Sequence, residues 1–319
     1  QPGHYPGHYL RDCWRYSSAL LAAFLADPPP VDFIYAQGLA GLAFVRARQH
    51  GVELPPIAVN AHGYHMFQAS EGLRGWLVQR MLRPTFIRMS READFVFTFS
   101  HRVRDIVAGP LRIPPERILE VPNAIDDAWI ITTPRPCGRR RRFLFIGRHD
   151  RLKGLPELHR AIELGSLQEC DFHFVGPIPK RQQVRSPNCT YHGVITDTAS
   201  LQACFDRSDV LLCPSHAEGM PTVILEALAR GLAIIATDVG AVRSMVDASN
   251  GIVLERPDPV SIAGAIKRLH DAPDEVLEAM KRASLDKAPM FGWRAVTSAT
   301  IAAVERAIHY SLRTGPVQA

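Results

Sequence analysis

The stretch SHAEGMPTVILEALARG, residues 215–231, follows the apolar run VLLCP and leads into a helical pattern. The run is typical of a buried strand, so strand, loop and helix follow one another here. We place Pro221 at the first helical position, where its missing N–H leaves no bond unmade. The free amides of Thr222 and Val223 at this helix end are then expected to attract an anion.

Two carboxylates flank the start of this helix. Glu218 lies in the loop before it, and Glu226 lies on its second turn among apolar residues. A carboxylate in apolar surroundings is costly unless a partner or a ligand uses it. Both can face a ligand whose phosphates sit at the helix N-terminus, which predicts a site for a phosphorylated ligand.

The segment EGMPTVILE, residues 218–226, resembles the E-x7-E signature of the retaining glycosyltransferases of family 4, which have the GT-B fold. The resemblance implies that Glu218 contacts hydroxyls of a donor sugar and that Glu226 holds the ribose hydroxyls of its nucleotide. It also implies that the intervening backbone meets the diphosphate, at Gly219, Met220, Pro221, Thr222 and Val223.

Composition restricts the class of protein. The 319 residues are 46% hydrophobic and 22% charged, which predicts a soluble globular protein of two domains. No apolar run of membrane-spanning length and no signal peptide is seen, and six scattered cysteines indicate neither zinc nor disulfides. A cytoplasmic protein is predicted, with peripheral contact at the inner face of the membrane as an option. The net charge of +5 permits anionic partners without choosing among them.

Strands alternate with helices along the chain, which predicts an α/β protein with two doubly wound parallel sheets. The resemblance implies a GT-B fold, in which two Rossmann-like domains face each other across a cleft. The predicted parts are an acceptor-side domain (1–133), a linker (134–142), a nucleotide-sugar-binding domain (143–290) and a C-terminal helix (291–319) that crosses back to the first domain. Family members normally begin with further βα units where this chain has about thirty residues, so we expect an incomplete start to the first domain.

The segment FLFIGRHDRLKG, residues 143–154, is a strand followed by a loop with two cations, Arg148 and Lys153. It lacks both the P-loop pattern and the dinucleotide fingerprint. By itself such a pair is either a phosphate grip or surface charge. The segment resembles the G-R-x4-K-G loop of the family, which implies that Gly147, Arg148 and Lys153 hold the donor diphosphate.

Three weaker matches complete the resemblance. His62 follows the strand PPIAVN and resembles the family histidine that faces the donor sugar; the alternative is a loop histidine bonded to backbone. The segment TYHGVIT implies that backbone groups of Gly193 and Val194 contact the nucleobase. The segment VPNAID, residues 121–126, resembles the end of the first domain.

Local signals predict turns and helix caps at four further positions. Turns are predicted at Asn123 and at Gly240, which follows the apolar run LAIIATDV. Ser100 is predicted to cap the helix after FVFTF, and Asp258 the helix after NGIVLERP.

Two basic segments have open interpretations. Residues 72–91 are basic and amphipathic, with Pro84 as a break or kink, and either lie on an anionic membrane surface or pack on the core with a solvated basic face. The arginine run 139–142 lacks interleaved aromatic residues and leads into a strand, so it is predicted to be a solvated strand start rather than a nucleic-acid site. No nucleic-acid partner is expected.

The predicted reaction transfers a sugar from a UDP- or GDP-linked donor to an acceptor hydroxyl on a glycan, lipid carrier or small molecule, as in polysaccharide biosynthesis. The resemblance implies retention, and no cofactor or metal is expected because no Asp-x-Asp motif lies near the predicted site. Predicted catalytic residues are Glu218, His62, Arg148 and Lys153. Alternatives are a nucleotide-sugar epimerase or hydrolase of the same fold, and a protein that binds the donor without transferring it.

Overall fold

The computed structural model describes residues 6–70, 72–165 and 167–315, without the side chain of Pro6. The chain divides into two compact units. The first comprises the chain up to Pro122 together with the chain from Thr297 onward, and the second runs from Asn123 to Val296. Within the described residues, none of the helices combines the length and the apolar character that crossing a bilayer requires.

The first unit is built on a parallel sheet. Its elements are α1 (Pro6–Ala26), β1 (Ile34–Gln37), α2 (Leu42–Gln49), β2 (Ile57–Asn60), α3 (Gly72–Glu92), β3 (Phe95–Thr98), α4 (Arg102–Ala108) and β4 (Ile118–Glu120). The strands pair in the order β1-β2-β3-β4, all in parallel. β2 and β3 are buried at every position, as expected of central parallel strands covered on both faces.

The second unit carries a larger parallel sheet. Its elements are β5 (Arg142–Ile146), α5 (Leu155–Leu164), β6 (Asp171–Val175), β7 (Cys189–Gly193), α6 (Thr198–Asp206), β8 (Val210–Cys213), α7 (Thr222–Ala229), β9 (Ala233–Thr237), β10 (Gly251–Leu254), α8 (Pro259–His270), α9 (Asp274–Lys287) and the start of α10 (Trp293–Thr314). The strand order is β10-β9-β8-β5-β6-β7, all in parallel. The prediction of two parallel sheets is confirmed. The strand order reverses direction between β8 and β5, as in a doubly wound sheet, whereas in the first unit the strands follow one another in chain order.

Aromatic side chains fill the cores. In the second unit the rings of Phe143 and Phe172 stack 5.5 Å apart between neighbouring strands. In the first unit Phe95 on β3 meets Tyr310 on α10 with ring centroids 6.0 Å apart, in an edge-to-face arrangement. The later turns of α10 therefore belong to the core of the first unit, where Ala307 is also buried.

The contact-based boundary between the units differs from the sequence-based one, since residues 123–133 pack in the second unit. Ile125 forms a parallel bridge with Gly292, and the amide of Ile131 donates to the carbonyl of Ala229 at 3.0 Å. These backbone bonds join the segment to residues 98 and 167 positions farther along the chain (229 − 131 and 292 − 125), which composition alone does not reveal.

α3 is a single helix although Pro84 lies inside it, so of the two predicted effects of this proline the break is wrong and the kink stays a prediction. One proline leaves one backbone bond unmade, and Phe86 and Met89 anchor the following turns in the core. The core-packed interpretation thus holds for the C-terminal half. The N-terminal half exposes Leu73, Trp76 and Leu77, and membrane contact by that half stays a prediction.

The predicted cap of α4 is also wrong. His101 rather than Ser100 occupies the N-cap, with φ 55° and ψ −128°, and its side chain forms no capping bond. The turn at His101 starts the helix one residue later than the serine pattern suggests. By contrast, the proposed cap Asp258 is confirmed, because its side chain accepts from the amide of Ser261 at 3.0 Å.

The arginine run is not uniformly solvated, which corrects the prediction at one position. Arg141 is buried, where its guanidinium pairs with Asp274 and donates to the carbonyl of Ala272. Arg140 lies 3.3 Å from Asp171. These bonds fix the start of β5 against distant parts of the second unit.

Candidate functional site

Two loops of the second unit meet at one edge of its sheet. Because β5 and β8 are neighbouring parallel strands, the loops that follow them emerge side by side. The loop after β5 contains Gly147, Arg148 and Lys153, and the loop after β8 leads to Glu218. The sheet topology therefore brings together the two segments with the clearest sequence signals.

Lys153 and Glu218 are in direct contact, although 65 positions separate them in the chain. Nζ of Lys153 donates to Oε1 of Glu218 at 2.7 Å, and Oγ of Ser215 donates to the same oxygen at 2.7 Å. Glu218 is 7% exposed, whereas the Lys153 side chain is 32% exposed. The carboxylate is thus fixed in one orientation while the ammonium stays accessible. Ser215 was missed by the sequence reasoning, since a serine in a loop gives no signal of its partner.

The backbone of the two loops is also in contact, and the contact requires glycine. Gly154 has φ 68°, and a Cβ at this position would lie 1.7 Å from the carbonyl oxygen of Pro214. The amide of His216 donates to the carbonyl of Leu152 at 2.8 Å. The phosphate loop is therefore held against the chain that carries Glu218.

A third loop supports Glu218 and Gly219 from behind. Gly240, after β9, has φ 54°, and a Cβ there would lie 2.2 Å from the carbonyl oxygen of Gly219. The next residue, Ala241, donates its amide to that same carbonyl at 2.8 Å. The turn predicted at Gly240 thus packs against the predicted diphosphate-binding backbone.

Asn123 holds the same stretch from another side. Its Nδ2 donates to the carbonyl of Met220 at 3.0 Å, and the Met220 side chain is buried. The sequence marked Asn123 only as a turn residue. The resemblance of VPN to the family pattern is the signal that pointed to this position, but the partner 97 positions away comes from the tertiary structure.

The start of α7 differs by one residue from the prediction. Pro221 is the N-cap, with extended backbone, and Thr222 is the first helical residue. The conclusion about the amides is unchanged, because the first N–H groups of a helix have no acceptor within it. Thr222 is exposed and Val223 half-buried, so these amides lie where a ligand can reach them.

Arg148 projects into solvent. Its side chain is 77% exposed, and its guanidinium lies 3.7 Å from the carboxylate of Asp150. Gly147, next to Arg148, is held in place by its backbone. Its amide donates to the carbonyl of Val175 at 3.0 Å, and Gly176 packs so closely that a Cβ added there would lie 1.9 Å from the carbonyl oxygen of Gly147. The structure does not bring Arg148 into contact with Glu218; it places the two in neighbouring loops.

Glu226 is half-buried on α7, and burial raises its carboxyl pKa above the ordinary value of 4.5. Within the described part of the chain, no side-chain hydrogen bond or ion pair to this carboxylate is found. A half-buried acceptor of this kind is suited to ligand hydroxyls, because such donors would replace the water that burial removes.

Gly193 and Val194 lie on the same sheet edge but farther along it. Gly193 ends β7, which is two strands away from β5, and has φ 70°. Its carbonyl accepts from the amide of Gly176 at 2.7 Å, and the side chain of Val194 is 63% exposed. The two residues are therefore at the same edge as the phosphate loop, without direct contact to Lys153.

His62 belongs to the first unit. It follows β2 with φ 50°, it is exposed, and its amide donates to Oδ1 of Asn60 at 2.9 Å. Tyr64, two residues on, has φ 52° and is fully buried, and burial raises its pKa to about 12. Such positive-φ side chains are costly and cluster at functional sites. No hydrogen bond of the His62 imidazole is found among the described residues, so the alternative of a backbone-bonded ring gains no support.

Two family models of glycosyl transferases match successive parts of this chain. The family model described as "Glycosyl transferases group 1" matches residues 140–272, and that described as "Glycosyl transferase 4-like domain" matches residues 1–124. Together the two matches include the phosphate loop, the stretch from Glu218 to Glu226, and His62.

Two curated relatives share part of this sequence. A glycogen synthase of Mycobacterium tuberculosis is 24% identical over 244 residues, which are 71% of this chain and 58% of that protein. A D-inositol 3-phosphate glycosyltransferase of Streptomyces griseus is 36% identical over 97 residues, 30% of this chain and 20% of that protein. The chain thus spans little more than half the length of the first and a fifth of the second.

Solved structures agree on the architecture. A sucrose-phosphate synthase from Thermosynechococcus elongatus superimposes with a TM-score of 0.75 at 18% identity, covering 93% of this chain and 78% of that one. At that identity the likeness shows the fold. The chain therefore has the GT-B fold. The two family matches show that it belongs to the glycosyl transferases, with a group 1 domain over residues 140–272 and a 4-like domain over residues 1–124.

Proposed function

We propose that this protein transfers a glycosyl unit from a UDP- or GDP-linked sugar to an acceptor hydroxyl, with retention and without a metal or other cofactor. The observation that carries the proposal is the 2.7 Å contact between Lys153 and Glu218. It joins the loop that resembles the family's diphosphate grip to the carboxylate that resembles its sugar-binding glutamate. Retention and metal independence rest on the resemblance to the family, and the acceptor is a saccharide or a lipid-linked saccharide carrier.

The cations of the site suit a diphosphate leaving group. Lys153 is held at the edge of the site, Arg148 is free to swing in solvent, and the amides of Thr222 and Val223 point out of the helix end. Preorganised donors of this kind stabilise charge that develops as the sugar bond breaks. The Lys153 ammonium has three N–H donors and uses one for Glu218. A phosphate oxygen can therefore accept a hydrogen bond from another of them while Glu218 stays bound.

The two glutamates are assigned different tasks. Glu218 is fixed by Lys153 and Ser215, and we expect it to accept from a hydroxyl of the donor sugar and so set the position of the anomeric carbon. Glu226 lies on the second turn of α7 and is expected to accept from the ribose hydroxyls. His62, from the first unit, is expected to contact the donor sugar.

Donor binding is tested by a thermal-shift panel of UDP- and GDP-sugars. A ligand at 100 times its dissociation constant stabilises the folded state by roughly 2.7 kcal/mol. The midpoint should then rise by several degrees for one nucleotide class, and the Lys153→Ala variant should lose that rise. If no nucleotide sugar moves the midpoint of the unaltered protein, the proposed donor site is wrong.

Transfer is tested by nucleotide release with and without a mixture of saccharide acceptors. A transferase releases the nucleoside diphosphate only when an acceptor is present. Nucleotide release without acceptor would instead support the hydrolase alternative, and conversion of the donor into another nucleotide sugar without net release would support the epimerase alternative. Donor binding without any turnover would support a protein that binds the nucleotide sugar and does not transfer it.

The exposed half of α3 supports a further partner, an anionic membrane surface that carries a lipid-linked acceptor. Leu73 is 74% exposed, Trp76 42% and Leu77 48%, and the guanidinium of Arg80 lies 5.4 Å from the Trp76 ring. Apolar side chains interleaved with arginines are typical of helices that lie in a membrane interface.

Co-sedimentation with vesicles tests this contact. The protein should sediment with vesicles rich in phosphatidylglycerol and remain in solution with neutral ones, and Trp76→Glu should abolish sedimentation. Trp293→Glu, a change at an exposed tryptophan of the second unit, is the matched control. Equal sedimentation of the two variants would show that α3 is not the contact.

A further inference from the structure

A second concave site lies on a face of the sheet of the second unit. It extends from the starts of β5 and β6, away from the phosphate loop, to Ile195, which follows Gly193 and Val194 in the chain. A cavity of about 800 Å³ is bounded by the first residues of β5 and β6, by the face of β7 and by α6. Its lining includes Arg142, His173, Thr190, His192, Cys204 and Arg207. The volume is within the range of roughly 300–1,000 Å³ that is usual for small-molecule sites.

Positive charge dominates its walls. Arg142 and Arg207 are exposed, and neither forms an ion pair in the part of the chain that the structure describes. The carboxylate that also lines the cavity, Asp171, already lies 3.3 Å from Arg140. Nη1 of Arg142 donates to the backbone carbonyl of Arg207 at 3.2 Å, and this bond positions the Arg142 guanidinium. Two guanidinium groups are therefore available to an incoming anion.

A pair of stacked histidines forms the floor. The rings of His173 and His192 are 5.3 Å apart and nearly parallel, and Nδ1 of the first lies 3.0 Å from Nε2 of the second, so one ring donates to the other. Burial lowers the pKa of both imidazoles. The pKa of His173 is lowered further by the nearby His192 and Arg142, and that of His192 by Arg207. The other groups that face the pair are Asp171 on β6 and Cys204 on α6.

We propose that this cavity binds a small phosphorylated molecule, separately from the nucleotide sugar. Guanidinium groups bind phosphate oxygens through paired N–H donors, which Arg142 and Arg207 supply from one side. The histidine pair and the hydroxyl of Thr190 supply donors from the sheet face. Burial, and after it the neighbouring cations, disfavour the protonated imidazoles. A bound anion stabilises the protonated form, so binding is coupled to proton uptake by the pair.

Calorimetry with inorganic pyrophosphate tests the site. Pyrophosphate also fits the phosphate loop, so the titration uses a variant with Arg148→Ala and Lys153→Ala, which removes that loop's cations. One binding event should remain. Adding Arg207→Gln should weaken it by about tenfold or more, as expected for a lost charged hydrogen bond. Arg256→Gln, at an exposed arginine outside the cavity, should leave it unchanged.

The result that would overturn the proposal is the absence of binding in the Arg148→Ala, Lys153→Ala variant, or binding that Arg207→Gln does not weaken. The histidine pair is tested with sulfate, whose charge does not change between about pH 6 and about pH 8, where imidazoles titrate. Sulfate should bind more tightly at the lower pH, and His192→Gln should remove most of this dependence. Equal affinity at both pH values in the unaltered protein would exclude the pair from the site.

Discussion

Asp94 in the first unit and Asp209 in the second occupy the same place, one residue before a central strand. Oδ2 of Asp94 accepts from the amide of Ile57 at 2.8 Å, and Oδ2 of Asp209 accepts from the amide of Arg142 at 3.1 Å. Each carboxylate thus ties the starts of two neighbouring parallel strands. Because both units have this arrangement, we infer that the aspartate before the strand helps to fix the register of two neighbouring strands in each sheet.

The cations paired with these aspartates differ in burial. Lys281 is 1% exposed and donates to Oδ1 of Asp209 at 3.0 Å. Arg48 is 15% exposed; its Nε lies 2.9 Å from Asp94 but is not aligned as a hydrogen bond. The unit that carries the phosphate loop is therefore held by a sealed ion pair. In the first unit the aspartate is buried as well, and the difference is that the arginine side chain is 15% exposed.

The surfaces of the two units differ as well. In the first unit, large exposed apolar side chains follow one another on α1, β1 and α3: Tyr9, Tyr16, Leu20, Leu25, Tyr35, Leu73, Trp76, Leu77 and Met81. In the second unit they are scattered singly among several elements, as at Leu164, Val194 and Val260. Contiguous apolar surface marks interaction sites, whereas single residues are ordinary. The proposed membrane contact therefore rests on the first unit, where the exposed apolar residues Leu73, Trp76 and Leu77 follow one another on α3.

The largest expected effect separates the two ion pairs. Asp209→Ala leaves the ammonium of Lys281 buried without its partner and should cost about 3–5 kcal/mol of unfolding free energy. Asp94→Ala should cost about 1–3 kcal/mol, because Arg48 is nearer to water. Urea unfolding, followed by tryptophan fluorescence, measures both losses. Trp129 and Trp293 report on the second unit, and Trp14 and Trp76 report on the first. Each unit is followed in a background in which the two tryptophans of the other unit are changed to Phe. Equal losses in the two variants would contradict the difference in burial.

A second comparison uses two glycines with positive φ. At Gly154 of the second unit an added Cβ meets the Pro214 carbonyl, whereas at Gly38 of the first unit nothing lies within 4 Å. Gly154→Ala combines backbone strain with overlap and should cost about 2–4 kcal/mol. Gly38→Ala should cost only about 1 kcal/mol from strain. Melting curves measure both, and nucleotide affinity should fall only for Gly154→Ala.

A third comparison tests which unit holds the nucleotide. Lys153→Ala should weaken binding of UDP or GDP by about 1.5–3 kcal/mol through the lost charged hydrogen bond, and Arg148→Ala should act likewise. Binding of the nucleoside without phosphates should hardly change. His62→Ala, in the first unit, should leave the affinity for the free nucleotide unchanged and reduce turnover of the nucleotide sugar. Calorimetry in which His62→Ala weakens UDP or GDP as strongly as Lys153→Ala would refute this division.

The smallest expected effect concerns Glu226. Since burial raises its pKa above 4.5, the folded protein holds this proton more tightly than the unfolded chain does. Stability therefore falls as the pH rises from 4.5 through the folded-state pKa, and remains lower at neutral pH. Glu226→Gln should raise the neutral-pH midpoint slightly while weakening nucleotide binding.

Melting curves of both proteins without ligand, at about pH 5 and about pH 7.5, measure the difference in pH slope. Glu218→Gln is the matched control for function, because it should spare free-nucleotide affinity and depress transfer. Identical pH slopes for the unaltered protein and Glu226→Gln would show that burial does not raise the pKa of Glu226.

Sequence by itself determined the features that depend on neighbouring residues. The alternation of apolar strands and helices predicted two parallel sheets, and parallel strands put the loops of Lys153 and Glu218 at one edge. The cap at Asp258 was readable because its hydrogen bond spans only three positions. The spacing of Glu218 and Glu226 and the match around Arg148 and Lys153 were enough to indicate the family, since both motifs are continuous in the chain.

Only the tertiary structure decided which of these groups touch and what supports them. The bonds of Asn123 to Met220 and of Lys281 to Asp209 join residues 97 and 72 positions apart. No local pattern encodes such pairings, because they depend on how whole strands and helices pack. The same reason explains the misplaced cap at Ser100 and the buried Arg141. In both cases the surrounding fold overrode a preference that was correct for an isolated segment.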